Sequence, residues 1–325
     1  MTGKERMIHA LKREPISGLV PHFELVFFLT MEKFGWVHPE HRQYSQWNQM
    51  SRKEQRLHLE DIADLHIKTA EAYHHDAIFL HPTIFDLASV TEILEIIRER
   101  TGDQYLTMIH GDPTFSIPNG DGMMDFTVKM YEEPEKLHEQ AKRSFDWIHS
   151  FAEALQGKGL LDCFCLCSDY AFNANPFFTN DQFAEFVFPY LRDIISEYHR
   201  MGYWVIKHTD GNINPILDQI VAAGPDALQS VDPQGGMNLT DVRARYGDRI
   251  TTIGNVNCGL LQTGTQEEAD ADVRRCLHEG MDDGKNGFVF STSNCVYTGL
   301  PLERYERMLE IWQNEGIYEK RNILR

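Results

Sequence analysis

The residues best equipped for chemistry lie in the run Lys207-His208-Thr209-Asp210-Gly211-Asn212. Side chains two apart on a strand share a face, so His208 and Asp210 would look into the same space. An imidazole and a carboxylate so placed can hold a metal ion, or serve as proton donor and acceptor. A strand-end histidine held by a carboxylate for structure alone would read the same way. Two cysteines close other apolar segments: Cys258 in Gly-Asn-Val-Asn-Cys-Gly and Cys295 in Ser-Thr-Ser-Asn-Cys-Val-Tyr. If the fold brings them to His208, the three form a soft donor set for a tetrahedral zinc with one open position. Spacing alone does not distinguish that from coincidence.

His22 and Glu24 repeat the two-residue spacing. A carboxylate inside a fold is costly unless paired, hydrogen-bonded or on a metal. Glu24 is therefore a functional acid or ligand, or it balances His22. Cys163, Cys165 and Cys167 alternate along one segment and read as small core hydrophobes. Asp169 continues their alternation at the segment's end, which makes it a candidate for the pocket. Asp232, in Val-Asp-Pro, would line the pocket or cap a turn, and His74 and His75 read as surface residues.

These groups sit at the ends of eight short apolar segments: Val20–Phe28, Ala77–Pro82, Tyr105–Asp112, Asp162–Tyr170, Tyr203–Gly211, Ala227–Pro233, Ile250–Asn257 and Phe288–Asn294. Continuous apolar runs suit parallel strands buried on both faces, and parallel strands need crossover helices between them. Helical spacing does recur between the segments, in 132–156, 180–201, 214–223, 240–246, 265–280 and 301–316, with Thr265 and Glu268 marking one helix start. Eight strand–helix units predict a (β/α)8 TIM barrel, in which strand ends converge on the active site. An opening helix over 3–13 would pack beneath it. A long loop after the first strand (30–50), carrying Trp36, His38, His41, Tyr44 and Trp47, would wall the pocket, and the Gly/Pro/Asp-rich stretch 110–125 reads as a second loop. Ser51 with Glu54 reads as a capping box for the next helix. A single domain over 1–325 is the simplest account.

The bulk properties narrow the classes. The net charge of −18 argues against a nucleic-acid binder, which needs a basic face for phosphates. Mean hydropathy is −0.41, and no 18-residue apolar stretch exists to span a membrane. The opening MTGKERMIHALKRE lacks the apolar region of a secretion signal, so a cytoplasmic protein is expected. The few cysteines then read as core thiols or ligands rather than a disulfide framework. No phosphate loop, dinucleotide fingerprint or serine elbow occurs.

The stretch from Ser168 to Leu302 resembles the uroporphyrinogen decarboxylase superfamily, in its corrinoid-linked methyltransferase branch. The resemblance is carried by Ser168-Asp169-Tyr170, Phe188-Pro189-Tyr190-Leu191, His208-Thr209-Asp210-Gly211-Asn212, Gly247-Asp248, Gly254-Asn255-Val256, Gly264-Thr265 and the late Cys295 before Pro301. The opening Lys4-Glu5-Arg6, Ala10-Leu11 and Val20-Pro21 agree with it. The resemblance implies a (β/α)8 barrel. It also implies zinc held by a His-x-Cys pair and a late Cys, with His208 and Cys295 on the first and last positions. The middle position is Asp210 here, so Cys258, Asp210 or Glu24 would have to complete the set. The decarboxylase's arginine-rich N-terminal signature is missing; His22-Phe23-Glu24-Leu25 stands in that region and is too acidic and apolar to grip polycarboxylates.

What the resemblance implies, then, is a methyltransferase of the anaerobic O-demethylase kind. It would move a methyl group from a small methoxylated aromatic to the cobalt of cobalamin carried by a partner corrinoid protein. Phe23, Phe27, Trp36, Trp47, Tyr170, Phe172, Phe177, Phe178 and Tyr297 would supply aromatic walls for a flat ring. Zinc would assist the leaving oxygen, or Glu24, His22, Asp210 or Asp169 would donate a proton. Transfer from a methyl-corrinoid to a thiol, a decarboxylase-like activity, and a barrel that merely binds an aromatic ligand are the alternatives. Barrels of this family often pair as homodimers.

Overall fold

The computed structural model describes residues 1–319 except Pro82, Thr83 and Phe85. Its centre is one all-parallel sheet whose seven strands follow each other in sequence order. They are β1 (Ala77–Leu80), β2 (Leu106–His110), β3 (Cys163–Leu166), β4 (Trp204–His208), β5 (Ala227–Gln229), β6 (Thr251–Ile253) and β7 (Phe288–Val289). Almost every strand residue is buried, which is why the strands read as unbroken apolar runs rather than as alternation. Helices cross between them, as parallel neighbours require. The architecture is α/β and TIM-barrel-like.

The first expected strand is the exception. Val20–Phe28 makes only isolated parallel bridges, His22 to Phe290 and Phe27 to Val296. Phe290 N donates to Pro21 O, and Asp76 N donates to His22 O. The segment thus lies between the last strand and β1. Pro21 has no N–H to give a ladder, and a regular strand does not form. The described residues hold seven strands where the sequence predicts eight.

Alternate strand residues pack as one cluster, including Phe79, Met108, Cys165, Ile206, Ala227 and Val289. Met7, Ala10 and Leu11 of the opening helix Gly3–Leu11 join that cluster, so this helix packs against the sheet as its spacing predicts. The other strand face packs on the outer helices. Phe164, for example, stacks on Tyr198 at 3.9 Å between ring centres.

Several helix boundaries differ from expectation for local reasons. The stretch 180–201 is two helices, Asn180–Phe186 and Phe188–Met201, because Pro189 withholds an N–H just where the first would continue. The cap of the first is Thr179 with Gln182. Thr265 and Glu268 form the full capping box, whereas at Ser51 the hydroxyl accepts from Glu54 N. The second loop is shorter than read, since the helix Gly122–Glu132 begins inside it. His75 is buried rather than at the surface. The chain turns at His74 in a left-handed conformation (φ 55°), which sends His75 inward to the Tyr305 hydroxyl, 3.4 Å away. No described helix is long and apolar enough to cross a membrane.

Candidate metal and proton-transfer site

Strand β4 carries Ile206 into the inner cluster, and alternation therefore turns His208 inward and Lys207 outward. Both directions are used. On the outer side, Lys207 Nζ is fully buried and donates to Asp112 Oδ2 at 2.8 Å and Ser168 O at 2.9 Å. It also lies 4.1 Å from the centre of the Tyr170 ring. Asp112 Oδ2 accepts from Ser168 N as well, and its Oδ1 accepts from Thr114 N. Burial would raise the Asp112 carboxyl, but the Lys207 charge together with the hydrogen bonds from Lys207, Thr114 and Ser168 N outweighs it and holds the group below the usual carboxylate range. Ser168 is thus gripped at both its N–H and its carbonyl, and the ends of β2, β3 and β4 are tied together one residue before Asp169.

On the inner side, His208 Nε2 lies 3.8 Å from Asp169 Oδ1 and 3.8 Å from Asp210 Oδ2. Among the described residues, Asp169, His208 and Asp210 are the group of three or more His, Cys, Asp or Glu whose ligand atoms all lie within 4.8 Å of one another. Asp169 and Asp210 are also linked through the backbone, since Asp210 N donates to Asp169 Oδ1 at 3.0 Å. His208 is buried, while the Asp169 side chain is 44% exposed, so the group opens outward on one side. The His208 Nδ1 pairs with Gln229 Oε1 from β5, and Asn294 Nδ2 donates to Asp210 Oδ2. Asp210 Oδ1 is buried without a hydrogen bond. Burial pushes the Asp210 carboxyl up; the His208 charge opposes this and the Asp169 charge adds to it.

The turn after the strand is fixed from below. Gly211 sits at φ +79°, and a Cβ there would lie 2.4 Å from Ala171 O. Its N–H donates to Asp232 Oδ2, whose other oxygen accepts from Gln234 N. Asp232 therefore serves as a turn anchor.

The donor set, one imidazole nitrogen and two carboxylates, is of the nitrogen-and-oxygen type that zinc accepts. The two cysteines are placed differently from His208. Cys258 heads the short helix Cys258–Thr263, its Sγ 3.9 Å from the carbonyls of Asn294 and Cys295. Burial pushes its thiol up to about 12. Cys295 is partly buried, and burial with the Asp210 charge raises its thiol as well. Neither sulfur joins the group of three.

His22 and Glu24 face away from the inner cluster, which takes Phe23 and Leu25 instead. His22 is buried against Trp312, with Nδ1 2.9 Å from Phe290 O and Nε2 3.5 Å from the Tyr305 hydroxyl. Burial pulls its imidazole down to about 4. Glu24 accepts from Ser291 Oγ and from Thr292 N and Oγ1 through Oε2, while Oε1 is buried without a hydrogen bond. Glu24 borders a cavity of about 30 Å³ beside His38, His66 and Thr69. Burial pushes its carboxyl up to about 7 against the hydrogen bonds from Thr292 and Ser291.

The expected aromatic wall divides. Phe23, Phe27, Tyr170 and Phe178 are core residues, Trp36, Trp47, Phe177 and Tyr297 are partly buried, and Phe172, three residues beyond Asp169, is 45% exposed. Gln229 is the functional neighbour that sequence reading passed over. Its signal was a polar side chain sharing the inward alternation of Ala227 at a strand end.

The family described as Uroporphyrinogen decarboxylase (URO-D) matches residues 82–314. A uroporphyrinogen decarboxylase of Vibrio campbellii is 24% identical over 229 residues, 65% of this chain and 59% of that protein. One from Vibrio vulnificus shows the same identity and coverage. The match thus spans less than two thirds of the curated relatives' length. A solved structure, "methyltransferase from Methanosarcina mazei", superposes with a TM-score of 0.74 at 19% identity, over 97% of this chain and 99% of that one. At that identity the likeness is one of fold.

Proposed function

Since the chain belongs to the uroporphyrinogen decarboxylase family, we propose that it is a methyltransferase of that family, moving a methyl group from a small methoxylated aromatic to the cobalt of a partner corrinoid protein. The observation that carries this reading is the Asp169–His208–Asp210 group, with one free imidazole nitrogen facing two carboxylates at the strand ends. The solved methyltransferase of the same fold supports methyl transfer as the chemistry. The exposed Phe172, three residues beyond Asp169, supports a flat ring as the substrate.

In such a reaction the methyl–oxygen bond breaks and negative charge develops on the departing oxygen. A zinc ion held by Asp169, His208 and Asp210 would supply Lewis-acid stabilisation of that oxygen. The chain's own groups supply the rest. Asp210, whose carboxyl burial raises, is the alternative to a metal there, as a proton donor beside His208. Gln229 holds the imidazole in place, and Asn294 orients the Asp210 carboxylate. The partner corrinoid protein meets the chain at the strand-end rim, where Asp169 is exposed.

Decarboxylation of a tetrapyrrole polycarboxylate fits less well. The site presents two carboxylates, and the buried Lys207, next to His208 in sequence, points away into its pairing with Asp112.

The test supplies free cob(I)alamin in place of the partner, with a panel of methoxybenzoates. Appearance of methylcobalamin absorption and of the matching phenol, lost in His208→Ala, is the expected result. Carbon dioxide release from uroporphyrinogen without any methyl transfer would overturn the reading.

A further inference from the structure

Cys165 and Cys167 lie two residues apart on and just beyond β3, and alternation puts them on one face. Their sulfurs are 3.4 Å apart, with the Cys167 thiol directed at Cys165. His110, on the neighbouring strand β2, pairs in register with Cys165. Cys165 is buried in the inner cluster, whereas Cys167 is partly exposed beside it. Two thiolates on one tetrahedral zinc at 2.3 Å would stand about 3.8 Å apart, so the pair needs only a small rotamer adjustment to chelate one centre. An ordinary core thiol has no such twin and no open side.

We propose that Cys165 and Cys167 form a chelating dithiol that takes a thiol-seeking metal or metalloid ion, separate from the carboxylate–imidazole group. Two S–H bonds are replaced by two bonds to the same centre. With a trivalent arsenical oxide, both protons and the oxide oxygen leave as one water, and no electrons are exchanged. An ion held there would sit two residues from Asp169 and would crowd the mouth of the candidate site.

The probe is phenylarsine oxide added to the reduced, folded chain, read by intact mass. One adduct per chain is expected, removed by a small dithiol but not by a monothiol at equal concentration. It should vanish in Cys167→Ser and Cys165→Ala and persist in Cys258→Ser and Cys295→Ser. Should Cys165→Ala fail to fold, Cys167→Ser decides, because Cys167 lies past the strand and is partly exposed. Absence of the adduct on the native chain, its survival in Cys167→Ser, or its mapping to Cys258 or Cys295 would each overturn the proposal. None of these readings depends on methyl transfer.

Discussion

The side-chain amide of Gln229 decides which nitrogen of His208 faces the two carboxylates. Its Nε2 donates to Thr292 O at 3.3 Å, which leaves Oε1 toward His208 Nδ1. A carbonyl oxygen can only accept, so Nδ1 carries a proton and Nε2 is left as the nitrogen that faces Asp169 and Asp210 and would bind a metal. Partners of this kind typically set ligand affinity by about 10–100-fold. Gln229→Leu should weaken zinc binding by that factor, measured by chelator competition. An unchanged affinity would show that the imidazole orients itself without the amide.

The turn that carries Asp210 tolerates no side chain at Gly211. Its positive φ and the 2.4 Å approach of a Cβ to Ala171 O both oppose substitution. Gly211→Ala should lower stability by about 1–3 kcal/mol and weaken metal binding together. A urea midpoint equal to the parent's would show that the turn relaxes freely.

Lys207 and Asp112 are both buried, and each is the other's charge partner. Lys207→Met leaves an unpaired buried carboxylate and should cost about 3–5 kcal/mol. Adding Asp112→Leu to it should recover part of the loss, because the stranded charge is then removed as well. If the double variant is as unstable as the sum of the singles, the pair is not the reason.

Glu24 gives stability a pH dependence of definite sign. Its carboxyl titrates near 7 in the fold against an ordinary 4.5. Between those values the folded chain binds a proton that the unfolded chain has lost. Its contribution to stability therefore falls as pH rises from about 4.5 to about 7, by up to about 3 kcal/mol. In Glu24→Gln this fall should disappear from urea-melt stabilities taken across that window. Parallel curves for parent and variant would refute the shifted carboxyl.

The sequence by itself determined the strand–helix alternation, because strands buried on both faces need unbroken apolar runs. It also singled out His208 and Asp210 as polar residues closing an apolar run, although β4 ends at His208 and the turn at Gly211, not strand alternation, places Asp210. Asp169 was legible for the same reason, as the polar end of an apolar run. Tertiary structure decided what local periodicity does not contain: which of the two faces is inward. Phe23 and Leu25 took the inner cluster, and that phase turned His22 and Glu24 outward. It also decided the partners, since Gln229 and Asn294 reach His208 and Asp210 across 21 and 84 residues of chain. Spacing along one strand sets direction relative to its neighbours in sequence; only the packing of strands against each other sets what a side chain meets.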